Sequence, residues 1–322
     1  MENSQYQPRI HILGTPRRNY EDNDPDQVAE ERNRRVEEEE KRKELENRLK
    51  VKRQPKVIQP APQPSSPTII APADFSDAFF LGEEFGREIN TKIQERYGEY
   101  NAIKVIVFDD DKKVVTGSNP FYVSAVNEFL QEGIRTATQA DLERILRENK
   151  LPLQGHYEDS SLVLRTKQEP NSYLATDLFN QFKQRGINLD ETTAYVIPLY
   201  SLSLRKDKQS PSKLSFTLSE NPVYFQAEIL NSPSQNKFES SDIEENTGIP
   251  KEVRAHGSRT LYTRNWQDYS IKNSGISRLY LNRNLNLDSN YDDLAYSYDG
   301  GRVVCLRAKG THGAQNSGGK LK

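Results

Sequence analysis

The sequence predicts an α+β domain over about residues 74–310, reached through an N-terminal run that lies outside its core. Three observations carry this. Helix-period segments come first and strand-period segments follow, the order of an α+β fold rather than of alternating units. Six prolines (Pro55, Pro60, Pro62, Pro64, Pro67, Pro72) mark a boundary just before the domain. Hydrophobic residues make up 34% and charged residues 29%, too polar for all 322 residues to share one packed core.

Residues 1–23 are rich in Asn, Asp and Arg and are expected to be disordered. A charged helix is expected over 24–54, with Asp24 as N-cap, Pro25 at the first helical position and Gln27 completing a capping-box pattern. Glu31–Arg35, Glu37–Lys41, Glu38–Arg42, Glu39–Lys43 and Glu44–Arg48 are spaced as stabilising pairs. Val28, Val36, Leu45 and Leu49 keep no heptad, so a solvated single helix and a weak coiled coil that self-associates both stay open. Residues 55–73 read as an extended, semi-rigid linker.

Within the domain, Phe79, Phe80, Phe85, Ile89 and Ile93 fit one helix face. Strands are expected over 103–108 and 113–116 around an Asp109-Asp110-Asp111 turn. That triplet lacks the spacing and glycine of a calcium loop. Pro120 opens a helix with Val123, Val126, Phe129 and Leu130 inward, stopped by Gly133. Thr138 caps the next, with Asp141 at its third position and Leu142, Ile145 and Leu146 inward. A further helix is expected over 173–185, then strands over 194–204, 213–218 and 223–230.

Residues 274–306 are the most informative stretch. Leu279, Leu281, Leu285 and Leu287 fall at odd positions, while Arg278, Tyr280, Asn282, Asn284, Asn286 and Asp288 fall at even ones. A period of two turns the leucines, with Leu294, inward and the even set outward. Arg283 interrupts the inner series, which predicts a bulge or turn there. Residues 303–306 read as a buried closing strand that places Cys305 in the core. With Asn290, Tyr291, Asp292, Asp293, Tyr296, Tyr298 and Asp299, the outward set is expected to form one solvent-facing ligand-binding patch. Asn and Asp are poor strand formers, so folding alone does not predict their density. Tyr with Ser, Asn and Gly supplies rigid contact area and adaptable hydrogen bonds, as in antibody paratopes.

Asn, Tyr, Asp, Ser and Gly are also the residues reached when adenines of the codon AAC are replaced. On this bias, on Gly133-Ile134-Arg135-Thr136-Ala137-Thr138-Gln139-Ala140-Asp141-Leu142 and on 274–306 with its closing Gly-Arg-Val-Val strand, the chain resembles variable proteins of diversity-generating retroelements, including uncharacterised archaeal members. The likeness covers about residues 100–310, with Asp141 standing where the family pattern has Glu. It implies a C-type lectin fold of the formylglycine-generating-enzyme type. It also implies a variable region at about 274–302, rewritten through adenine mutagenesis, that contacts a protein or other macromolecular ligand. The single cysteine departs from the formylglycine-generating enzymes, which work through cysteines. Glu169-Pro170-Asn171 spells the calcium triplet of animal C-type lectins, but lies far upstream of the last strands, and Trp266-Gln267-Asp268 is a poor partner for it.

No catalytic set, metal site or cofactor is expected. The four histidines have no triad or ligand spacing, and neither a phosphate loop nor a nucleophile elbow occurs. A net charge of −2 argues against nucleic acid as partner. The start of the chain lacks a signal peptide, and no apolar run is long enough to span a membrane. A cytoplasmic protein is expected, with surface display requiring some other route. The alternative function is a non-variable structural or assembly protein clustering through its N-terminal helix. Residues 311–322 read as a disordered tail.

Overall fold

The structure, a computed structural model, describes residues 75–308 apart from 232, 234 and 265–272. The expectations for 1–23, 24–54, 55–73, 311–322 and Trp266-Gln267-Asp268 lie outside the described residues. Among the described residues, no helix is long and apolar enough to cross a membrane.

The chain begins with β1 (Phe75–Phe80), α1 (Glu83–Tyr97), a single turn α2 (Asn101–Lys104) and the hairpin β2 (Val107–Asp109) and β3 (Val114–Thr116). It continues through α3 (Pro120–Phe129), β4 (Ile134–Thr136), α4 (Gln139–Arg147), β5 (Glu158–Leu164) and α5 (Ser172–Gln184). Then come β6 (Tyr195–Pro198), β7 (Leu202–Lys206), β8 (Leu214–Leu218), β9 (Phe225–Gln226), β10 (Lys237–Phe238) and β11 (Arg259–Tyr262). It closes with β12 (Ile276–Leu281), β13 (Leu287–Asp288) and β14 (Val304–Ala308). The fold is α+β.

Two expectations near the start are corrected. Phe79 and Phe80 belong to β1, not to the helix that carries Ile89 and Ile93. They pair with Cys305 and Val304 of the last strand, so a contact remote in sequence overrides the local helical spacing. Residues 103–108 are not one strand. Ile103 and Ile106 are both fully buried, the three-residue spacing of a helical turn, and the strand starts only at Val107. The Asp109 turn forms as expected, its Oδ1 accepting from the amides of Asp111 and Lys112. The start of α4 also forms as expected: Thr138 accepts from the Asp141 amide and Asp141 accepts from the Thr138 amide.

Seven strands form the main sheet in the order β10-β11-β13-β12-β5-β6-β9, with β11 and β13 parallel and the other pairs antiparallel. All seven residues of β5 are buried. Leu162 and Leu164 face a core shared with α1, α3 and α5, while Val163 faces a second core with Phe238, Ile249 and Leu261. A separate sheet sets β14 between β1 and β4, so the last described strand is central, as expected for 303–306. Cys305 is fully buried there, and burial pushes its thiol up to about 12.

The leucines of the last segment bind all three hydrophobic clusters together. Leu294 enters the helix-side core, Leu279 and Leu287 the second core, and Leu281 a third with Val304 and Leu306. Leu285 does not follow them as a strand residue. It ends the turn that begins at Asn282, has φ +61° and is half-buried against the third cluster. The expected break at Arg283 is this turn.

Candidate functional site

The site is built on the neighbouring inner strands β5 and β12 and on the returning loop 289–301. The alternation along β12 is as expected, but its consequence is not. The even face of β12 carries Ile276, which is fully buried in the helix-side core. That face is covered by the residues leading into α3 and by the loop returning from β13, so an even position is not a solvent position.

Arg278 shows the difference. It was expected outward and is only 2% exposed. Its Nε and Nη2 grip the Asp159 carboxylate at 2.6 and 2.5 Å, and its Nη1 donates to the Tyr296 carbonyl at 2.9 Å. The Ser118 hydroxyl donates to the same carboxylate at 2.7 Å. Burial pushes the Asp159 carboxyl up, while Arg278 and Ser118 pull it back. Burial likewise works against the charge of Arg278, and Asp159 more than restores it. A two-pronged contact of this length is an ion pair. It ties β12, β5, the start of α3 and the returning loop to one point.

Asp288, also expected outward, is buried. Its Oδ1 accepts from the Asn290 amide and its Oδ2 from the Tyr280 hydroxyl at 2.9 Å. Burial pushes its carboxyl up to about 6, against both of those bonds. Burial and the Asp288 carboxylate together push the Tyr280 hydroxyl up. Other members of the expected patch do structural work as well. Asn282 Oδ1 accepts from the amides of Asn284 and Asn286, Asn286 Oδ1 from the Thr260 amide, and Asp293 Oδ1 from the amides of Ala295 and Tyr296. Folding therefore does explain much of the Asn and Asp density, because these residues turn the backbone rather than extend it.

Six members of the expected patch remain exposed, and three of them are tyrosines. Tyr291, Tyr296 and Tyr298 are 43%, 45% and 37% exposed. With half-buried Tyr280 and fully buried Tyr157 they make a closed ring of five. Centroids lie 6.1 Å apart for Tyr157–Tyr280, 6.4 Å for Tyr280–Tyr291 and 5.8 Å for Tyr291–Tyr296. Tyr296–Tyr298 lie at 6.1 Å, and Tyr298 stacks on Tyr157 at 4.4 Å. These are favourable aromatic separations. The Arg278 guanidinium sits 4.8 Å from the Tyr280 ring centre and 5.4 Å from that of Tyr157. Asn284, Asp293 and Asp299 are exposed beside the ring, and Asn282, Asn286, Asn290 and Asp292 are half-buried.

Tyr157 locks the ring to the frame. Its hydroxyl donates to the Ser118 carbonyl at 3.1 Å and accepts from the Tyr298 amide at 3.0 Å. The backbones meet at Gly301, where a Cβ would stand 2.4 Å from the Ser118 nitrogen and 2.7 Å from the Tyr157 ring, so only glycine fits. The Glu169-Pro170-Asn171 triplet serves as a brace. The Pro170 carbonyl accepts from the Ile276 amide, and Asn171 Nδ2 donates to the carbonyls of Ile276 and Asp292. Asn171 is the N-cap of α5. Among the described residues, no group of three or more His, Cys, Asp or Glu could hold a metal ion.

Sequence reasoning missed Tyr157, Asp159, Ser118 and Arg283. Arg283 is exposed, with its guanidinium 5.9 Å from the Tyr298 ring centre, and an arginine at a turn beside a tyrosine-rich run was a usable signal. The other three come from segments remote in sequence and carry no local mark. The described domain is thus an α+β domain with a tyrosine-ringed surface at its C-terminal end, centred on a buried arginine. No protein-family model, curated protein or solved structure matches the chain.

Proposed function

We infer that this chain is a non-catalytic binding protein whose ligand seats on Tyr291, Tyr296 and Tyr298 with Arg283, Asn284 and Asp299 around them. The observation that carries this is the separation of exposed ring from buried frame. Three large exposed tyrosines stand together, and the side chains that fix their backbone are Arg278, itself held by Asp159, with Tyr157 and Asp293. Tyrosines held in this way supply contact area at low entropic cost and are frequent anchors of macromolecular interfaces.

On the resemblance noted above, the reading extends to a C-type lectin-like domain whose segment 274–302 is diversified by adenine mutagenesis from a retroelement. The surface narrows the set of positions open to change. Arg278 and Asp288 belong to the frame, as do the turn-forming side chains of Asn282 and Asn286. Sequencing this gene and its neighbouring DNA across many cells of one population tests the reading. The expected result is a reverse-transcriptase gene, a near-copy of the 274–306 segment, and adenine-derived changes at the codons of Asn284, Tyr291, Tyr296, Tyr298 and Asp299 but not of Leu281, Leu287 or Leu294. Changes spread evenly over the gene, with no such near-copy, would overturn it.

A further inference from the structure

The opposite face of the main sheet carries a cleft that the tyrosine surface does not use. Buried Ser161 of β5 and Pro198 of β6, which pair across the sheet, form its floor. Ser161 pairs on its other side with Leu279, whose side chain enters the second core, so the floor lies on the face away from Arg278. Arg135, the start of α4 and the rings of Tyr200, Tyr224 and Phe225 line the rest, and exposed Asn246 marks the mouth. The empty space is about 550 Å³ counted out to that open mouth, so a bound molecule lies partly in solvent.

The polar groups of the lining are short of partners. Ser161 is 1% exposed, yet its hydroxyl bonds to no described residue. A polar group so enclosed is unfavourable without a partner. The next hydroxyl, that of Ser160, is by contrast spent on Gln139 Oε1 at 3.0 Å, which pins β5 to the start of α4. Arg135 donates through Nη1 to Asp141 Oδ2 at 2.6 Å and to the Thr136 carbonyl at 3.0 Å, while its Nε and Nη2 bond to no described residue. Among the described residues that line the cleft, Arg135 alone is charged. Its guanidinium lies 5.1 Å from the Tyr200 ring centre, so the cation and an aromatic wall adjoin. The first-turn amides of α4, Gln139 and Ala140, have no acceptor within the helix and add partial positive charge.

We propose that this cleft binds a small monocarboxylic acid with a flat apolar body. The carboxylate pairs with the free Nε–Nη2 edge of Arg135, a fork that matches its two oxygens, and the Ser161 hydroxyl supplies a further donor. The body lies against Tyr200, Tyr224 and Phe225. Apolar walls with a few convergent polar groups are the usual make-up of a small-molecule site.

Benzoate serves as the probe, titrated into the full chain at constant ionic strength with calorimetry and thermal unfolding as readouts. Acetate, which lacks the body, and benzamide, which lacks the charge, are titrated alongside. Benzoate should saturate and raise the melting temperature, and the other two should bind at least about tenfold more weakly. Ser161→Ala should weaken benzoate about tenfold, the worth of a hydrogen bond to a charged group, without lowering the melting temperature of the free protein, because that hydroxyl has no internal partner to lose. Asn246→Asp places a like charge at the exposed mouth and should weaken benzoate about 2–5-fold. The Tyr291→Ser, Tyr296→Ser, Tyr298→Ser variant should bind benzoate as the parent does, which separates failure here from failure of the surface reading. No saturation by benzoate in the parent, equal binding of acetate or benzamide, or undiminished binding in Ser161→Ala and Asn246→Asp would overturn the proposal.

Discussion

Residues 276–288 and residues 289–301 are drawn from the same few residue types and use them in opposite ways. In the first stretch Arg278 and Asp288 are buried and bonded, and Asn282 and Asn286 spend their side chains on backbone amides. In the second, Tyr291, Tyr296 and Tyr298 stand in solvent while their backbone is held by groups outside the ring's exposed face. The lesson is that residue type does not assign a position to frame or surface. What assigns it is whether a second layer covers the strand. β12 is an inner strand with both faces covered, so its polar positions are enclosed and must be paired.

This contrast can be broken by experiment, beginning where the effect is largest. Arg278→Met should destabilise by about 3–5 kcal/mol, because it leaves the Asp159 carboxylate buried without its cation. Denaturant unfolding measures it, and a loss below about 1 kcal/mol would put Arg278 outside the frame. Leu281→Ala removes a fully buried side chain from the third core and should cost about 2–5 kcal/mol. Leu285→Ala, at a half-buried turn position, should cost clearly less than Leu281→Ala in the same assay.

Asp288 sharpens the comparison through pH. Its carboxyl is pushed up to about 6 from an ordinary 3.8, so the folded protein prefers it protonated. The stability this group contributes is fully present below its unfolded value and is lost as pH rises through about 6. Asp288→Asn cannot ionise. Its stability relative to the parent should therefore climb between about pH 4 and pH 7, by on the order of 2–3 kcal/mol. Glu158, whose carboxyl is buried without a hydrogen-bond partner and pushed well up by burial and by Asp159, is common to both proteins and cancels in the difference. A difference that stays flat with pH would show Asp288 to be solvated.

Much of this molecule is legible in the sequence where the signal is local. The capping pair Thr138 and Asp141, the proline opening of α3, the Asp109 turn and the interruption at Arg283 all rest on neighbours within a few residues. What was not legible depends on distant partners. Phe79 and Phe80 are strand residues because β14 pairs with them, and Ile103 is helical because of the core it enters. In the site, the leucines were readable and the tyrosines partly so. The enclosure of Arg278 was not, because the residues that cover it, Ser118, Tyr157 and Asp159, lie more than a hundred positions upstream.

The exposed tyrosines Tyr291, Tyr296 and Tyr298 should display a surface without supporting the fold. The most direct measurement is the unfolding free energy of the Tyr291→Ser, Tyr296→Ser, Tyr298→Ser protein, set beside that of Arg278→Met. A total change within about 1.5 kcal/mol is expected for the three together, about 0.5 for each, with a cooperative transition retained. A triple variant that unfolds, or that loses as much stability as Arg278→Met does alone, would make those tyrosines part of the frame and contradict the claim.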